Sequence, residues 1–239
     1  MAFWCLFTHV LLDMFTSWGT QILWPLKTLF ALKTIFVIDP LYTIPLLISV
    51  ILAWRTKEIV LRKKYIIRGL LISSSYLLLS CFIKLYALNQ FEKALLKQGI
   101  KYSEIIVKPT AFNIVLWNAN VATPHAYLLS DYSLFDSQPI TFTNYSRNTE
   151  LESNLKGNSD FEKLKKISEG WYIISKKNDS YYFNDLRFGL INDDKNQPKF
   201  TFSYQFVPTT SGLKAVEVPK EKREGKELLQ KIFNRLKGN

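Results

Sequence analysis

Apolar residues run in long unbroken stretches over the first third of the chain and in short alternating ones after it, and this change of pattern divides the molecule. Residues 2–16 (AFWCLFTHVLLDMFT) are apolar around one histidine and one aspartate, and they predict a helix over 3–18 that Gly19 ends. That is short for a membrane crossing, which takes roughly 20 apolar residues. Residues 19–37 mix Trp24 and Pro25 with Lys27 and Lys33, a composition suited to the membrane interface or to a re-entrant segment. Residues 40–54 are apolar on every face, with Pro40 where a proline fits the first helical turn and Pro45 placed to bend it. Residues 69–88 (GLLISSSYLLLSCFIKLYAL) are the best candidate span, and Lys84, near its end, can snorkel to the headgroups.

Beyond residue 88 the period shortens. A helical stalk over 90–98 is followed by aromatic and β-branched runs at 104–107, 114–119, 126–130, 140–142, 170–175, 181–188 and 199–206. Asn, Asp, Gly and Pro between the runs support strands. Residues 160–169 predict a small amphipathic helix, and the tail from Val218 alternates charges as a solvated helix or frayed end does. The predicted class is α+β: amino-terminal transmembrane helices with the HxxxD, GTQ and IDP motifs in 1–88, a mostly antiparallel β-rich soluble domain in 89–215, and a charged helical tail in 216–239.

A net charge of +11 raises nucleic acid as a partner. Position changes that picture, because six of the nine lysines and arginines in residues 1–87 lie between Arg55 and Arg68. By the positive-inside rule this connector is cytoplasmic, against Lys27 and Lys33 in the preceding loop. The loop, Asp39 and the domain after Leu88 are then on the outer side of a plasma (inner) membrane that the chain crosses more than once. Membrane lipid becomes the expected partner and nucleic acid an unlikely one. Only Cys5 and Cys81 are present, so neither a thiolate zinc site nor a disulfide framework is suggested. The first segment lacks the basic region and the cleavage site of a secretory signal, and no glycine-rich phosphate loop or GxSxG elbow appears.

His9 and Asp13 are the first candidates for chemistry. Their i, i+4 spacing puts both on one helix face, and ionisable groups in an apolar segment are costly to keep. A neutral imidazole and a carboxylate one turn apart can share a metal ion, as the two histidines of HExxH do; the same spacing also fits a hydrogen bond that ties membrane helices together. Asp39 precedes a helix, where it serves as an N-cap, as a third ligand, or as both. One nitrogen and two oxygens suit zinc or manganese, and a divalent ion lowers the pKa of bound water to about 7 and polarises an acyl or phosphoryl oxygen. Asp185 and Arg187 alternate onto one strand face, either as a structural ion pair or with Arg187 free to grip an anionic substrate group. His125, after Thr123-Pro124, sits in a turn context that favours a surface histidine.

HVLLDMFTSWGTQILWPL followed by FVIDPLY resembles the YdjM-type family of membrane-bound metal-dependent hydrolases, also described as LexA-binding inner-membrane proteins. Pro109, residues 113–117, Asp131-Tyr132-Ser133-Leu134 and residues 182–189 (YFNDLRFG) resemble its carboxy-terminal pattern, so the likeness runs over most of residues 3–206. It favours the metal-site reading of His9 and Asp13; with Asp39 as third ligand the ion expected is divalent, zinc or manganese, with Asp13, Asp39 and Arg187 serving the reaction. The expected position at the outer membrane face points to a small-molecule, lipid or envelope substrate, a phosphoester or ester. Family members begin with further apolar helices bearing another histidine motif, whereas only eight residues precede His9, so a shortened chain is expected. The alternatives are a non-catalytic membrane protein whose β-rich domain binds a partner, and an inactive remnant of a hydrolase. LexA, being cytosolic, is at odds with an outward-facing domain.

Overall fold

The long apolar runs become helices that keep most of their side chains facing outward. The computed structural model describes residues 2–26, 28–191, 198–210, 212–220 and 222–239; Met1 and Lys27, one of the two loop lysines in the charge comparison, lie outside the described residues. Helix α1 is Ala2–Asp13, α2 is Pro40–Arg55 and α3 is Ile59–Lys97. Phe3, Trp4 and Leu6 of α1, Leu47, Val50 and Trp54 of α2, and Leu71, Leu78 and Phe82 of α3 are all exposed. An apolar surface of that extent is unfavourable in water and ordinary in lipid.

Helix α1 stops at Asp13, short of the expected Trp18. The Thr16 N–H and hydroxyl both donate to the Asp13 carbonyl, closing a turn in place of another helical repeat. Helix α3 is longer than expected. Its 39 residues, about 58 Å at the helical rise, absorb most of the basic connector, the span at 69–88 and nearly all of the stalk into one element. Good helix formers continue without a proline through all three, so nothing breaks the helix; the link from α2 is residues 56–58. Among the described residues α3 is the one helix long and apolar enough to cross a membrane.

Helix α2 lies antiparallel along α3. The Ser73 hydroxyl donates to the Tyr42 carbonyl (2.9 Å), and Gly69 meets Ser49 so closely that a Cβ there would overlap the serine side chain. The segment between α1 and α2 is irregular and runs beside α3. Thr20 and Phe30 bridge it, the Lys84 ammonium donates to the Leu32 carbonyl, and Ile35 packs with Ala87, Phe91 and Leu95. Irregular backbone beside a membrane helix is tolerated where protein covers it, as Thr34 and Ile35 are covered here.

Two antiparallel four-stranded meanders follow. The first is β1 (Glu104–Pro109), β2 (Leu116–Ala122), β3 (Ala126–Ser133) and β4 (Thr143–Ser146); the second is β5 (Tyr172–Lys177), β6 (Ser180–Leu190), β7 (Phe200–Thr209) and β8 (Gly212–Glu217). Between them lie α4 (Thr149–Ser153) and α5 (Ser159–Ile167), and α6 (Lys222–Leu236) closes the chain. The α+β class therefore holds, with helices first and sheets after.

Alternation gives the first sheet two uses. Val107, Trp117, Ala119, Val121, Leu128 and Tyr132 face Phe91 and Leu95 of α3, and Leu12 and Phe15 pack against the same cluster. The opposite face carries Leu129, Tyr127 and Ala122 onto Trp171, just before β5, and onto Ile173, Leu186 and Phe200 of the second sheet. The run at 140–142 is not a strand: pairing begins at Thr143, while Ile140 and Phe142 pack beneath the α3 cluster. Strand β8 and helix α4 were not expected from the pattern, the first because GLKAVE is a charged edge strand and the second because it is barely one turn long.

Candidate functional site

The structure brings His9 and Asp13 together. Nε2 of the histidine lies 3.6 Å from Oδ2 of the aspartate on the last turns of α1, with the side chains 74% and 41% exposed. Asp39 is placed differently. It is buried, its Oδ1 accepts the Leu41 N–H as the α2 N-cap (3.0 Å), and its Oδ2 accepts the Tyr76 hydroxyl of α3 (2.8 Å). One oxygen thus caps and the other ties the two helices, so both carboxylate oxygens of Asp39 already accept hydrogen bonds. Among the described residues no three His, Cys, Asp or Glu side chains gather as a metal site. The residues present supply a ligand pair and not a ligand set.

Arg187 lies elsewhere, in a cleft of about 1360 Å³ that four parts of the chain enclose. Ser17, Trp18, Lys33 and Phe36 come from the irregular segment, and Lys108, Asn118, Asn120, Leu129 and Asp131 come from the second face of the first sheet. The second sheet gives Arg187, Phe188 and Phe202, and α6 gives Leu228, Ile232 and Arg235. Trp18 touches the Phe188 ring, with centroids 5.1 Å apart, so the irregular segment and the second sheet meet at this cleft.

The DLRFG stretch forms the wall that positions Arg187. Strand β6 pairs regularly with β7 to Asp185 and resumes at Leu190, so a bulge takes up the residues between. Gly189 has φ of +73°, where a side chain would be strained. A bulge of this kind redirects side chains, and here it turns Arg187 and Phe188 into the cleft. Leu186 stays in the core. Buried Asp185 accepts hydrogen bonds from Nε and Nη2 of Arg187 (2.8 Å for the latter), and Glu169 lies 3.5 Å from Nη1. The structure therefore shows the ion-pair alternative for Asp185 and Arg187, with the paired guanidinium lining the cavity. His125 is exposed, as its turn context suggested.

Pattern reasoning passed over Lys108, Asn118 and Asn120. Register sets Lys108 opposite Asn118 and Asn118 opposite Asp131, one polar row across three strands. Lys108 is half-buried with its ammonium 5.8 Å from the Phe188 ring, and burial pulls its pKa down to about 7. Neither Lys33 nor Lys108 makes an ion pair with a described residue, and the Oδ1 atoms of Asn118 and Asn120 are buried without a partner. A signal was present in WNANVA: two asparagines at period two, on the face opposite Trp117, Ala119 and Val121, mark a polar row on a strand buried on both sides.

Residues 1–91 match the family model described as YdjM inner membrane protein. The matched stretch contains His9, Asp13, Gly19, Asp39 and Tyr76 and ends within α3, so the likeness drawn from HxxxD, GTQ and IDP holds over it. The two sheets and the DLRFG bulge lie past its end. No curated protein and no solved structure matches the chain.

Proposed function

Because residues 1–91 carry the pattern of the YdjM inner-membrane family, we propose that the chain is held in the inner membrane by α3 and takes up an anionic, lipid-derived ligand in the cleft. One observation carries this: five cationic residues, Lys33, Lys108, Arg187, Lys231 and Arg235, line one cavity against two carboxylates, Asp131 and Glu169, with apolar wall between them. Gathering cations away from water is unfavourable, and a bound anion offsets that cost. The basic residues Arg62, Lys63, Lys64 and Arg68 sit at the end of α3 remote from the sheets, which favours a cytoplasmic α2–α3 link and a cleft on the outer side. Titrating the detergent-purified chain with short-chain phospholipids, read by native mass spectrometry, tests the proposal. The expected result is a clear preference for anionic over zwitterionic headgroups, reduced in Lys108→Gln and Arg187→Gln. Equal binding of both headgroup types sinks it.

Metal-dependent hydrolysis is the second reading, favoured by the closeness of His9 and Asp13 inside the family-matched stretch. A zinc or manganese ion on that pair would supply an activated water, and Asp39 enters this reading only if it gives up its bond from Tyr76. Metal content of the purified chain decides the matter. About one ion per chain, lost in both His9→Ala and Asp13→Ala, supports the reading, and background metal in all three removes it.

A further inference from the structure

We propose that the cleft selects lipids whose headgroup carries hydroxyl groups beside its phosphate, with Lys108 and Arg187 holding the phosphate and Asn118 and Asn120 receiving the hydroxyls. This rests on the anionic-ligand reading above and names the ligand class. The Asn120 amide nitrogen donates to the Leu186 carbonyl (2.7 Å), and that of Asn118 donates to Asp131 Oδ1 (2.9 Å). A carbonyl and a carboxylate oxygen can only accept, so the orientation of both amides is fixed. Their oxygens must therefore act as acceptors, yet both are buried and neither has a partner. Asn120 is only 1% exposed. Buried acceptors are rarely left unpaired, and both residues line the cleft, so a hydroxyl reaching them there would complete their pairing.

Anionic charge alone does not complete that pairing, because a phosphodiester has no proton to give. A hydroxylated headgroup meets both needs. Lys108 is the register partner of Asn118, so the cation and the first acceptor are neighbours across two strands, and the second acceptor lies two residues along β2 on the same face. The Oγ of Ser17, also buried without a partner, approaches the cavity from the irregular segment. Leu129, Phe188 and Phe202 supply apolar wall for the acyl chains, and Trp18, 54% exposed, stands where the cavity meets the irregular segment.

The test compares three probes on the detergent-purified chain. Short-chain phosphatidylglycerol carries headgroup hydroxyls. Phosphatidylmethanol has the same charge and the same chains with no hydroxyl. Glycerol phosphate has the headgroup without the chains. We expect phosphatidylglycerol to bind about tenfold tighter than phosphatidylmethanol, the effect of one or two added hydrogen bonds. The gap should close to under about twofold in Asn118→Leu and in Asn120→Leu, with melting temperature checked in each. The two variants guard each other, since Asn120→Leu strips a donor from the Leu186 carbonyl and Asn118→Leu strips one from the Asp131 carboxylate, so only the loss they share reports the acceptors. Equal binding of the two lipids, or a gap that survives both substitutions, overturns the hydroxyl selection and leaves the anionic-ligand reading standing. Binding of neither lipid overturns both. Glycerol phosphate binding as tightly as phosphatidylglycerol overturns the lipid as the source of the headgroup.

Discussion

Lys108 has a side chain that water keeps charged to high pH, whereas burial in the cleft brings its pKa to about 7. Between that value and the ordinary lysine value near 10.5, the unfolded chain binds more protons than the folded one, so stability rises with pH across this window. Below about 7 the ammonium is present in both states and the destabilisation stays constant. Ligand binding runs the other way, because an anion is held by the charged amine. Affinity for an anionic short-chain lipid should therefore fall several-fold between pH 6 and pH 9, and Lys108→Gln should flatten that profile while weakening binding at pH 6. A flat profile in the unsubstituted chain would place the anion away from Lys108. The residue was hard to single out beforehand, because one lysine in a six-residue strand reads as solvated. Its burial depends on the bulge at 185–189 and on the irregular segment, which are distant in sequence.

Helices α2 and α3 form the element whose packing is most sharply defined. Asp39 caps α2 and accepts from Tyr76, so Asp39→Ala removes a cap and a buried hydrogen bond and should cost about 1–3 kcal/mol. Asp39→Asn keeps a capping oxygen and should cost less than half of that. The pair separates two roles: if Asp39 serves only to cap and tie, metal content is indifferent to Asp39→Asn, whereas a ligand role would lower it. Gly69 gives a second handle. A methyl there overlaps Ser49, so Gly69→Ala should destabilise the helix pair by about 1–3 kcal/mol, and Ser49→Gly in the same chain should restore most of it. Unfolding of the two single variants and the double variant in mixed micelles measures the coupling; simple additivity would mean that the helices part to accommodate the methyl. Helix α2 itself could be foreseen from Asp39-Pro40 and from its apolar length. The fusion of connector, span and stalk into α3 could not, because the charges at 62–68 mark the end of an apolar run and not the end of a helix.

At the scale of the whole molecule, the order of helices then sheets was legible because apolar period and run length change near residue 88, and those two properties set what each segment can bury. The assembly of the cleft was not, since it depends on which face of the first sheet meets α3 and which meets the second sheet. The tail shows the same limit. Its alternating charges suggested a solvated helix, yet α6 is docked: Arg235 donates to both carboxylate oxygens of Asp136 and to the Asp131 carbonyl, and the Ser133 hydroxyl donates to the Leu236 carbonyl. Burial alone would raise the Asp136 pKa, but the Arg235 guanidinium and the Ser133 N–H hold it below the usual carboxylate range. A lowered carboxylate pKa contributes stability above the unfolded value near 4 and loses it as pH falls through the folded value. Leu228 and Ile232 of the same helix line the cleft, so the clamp at Asp136 also holds one of its walls. Limited trypsin digestion should cut at Lys226 and Lys231 faster in Arg235→Gln and Asp136→Asn than in the unsubstituted chain, with the two sheets left intact and lipid affinity lowered. Helix content below pH 4 should fall in the unsubstituted chain by the amount already missing from Asp136→Asn at neutral pH. If α6 stays protease-resistant in both variants, the apolar contacts of Leu228 and Ile232 hold the helix without the clamp.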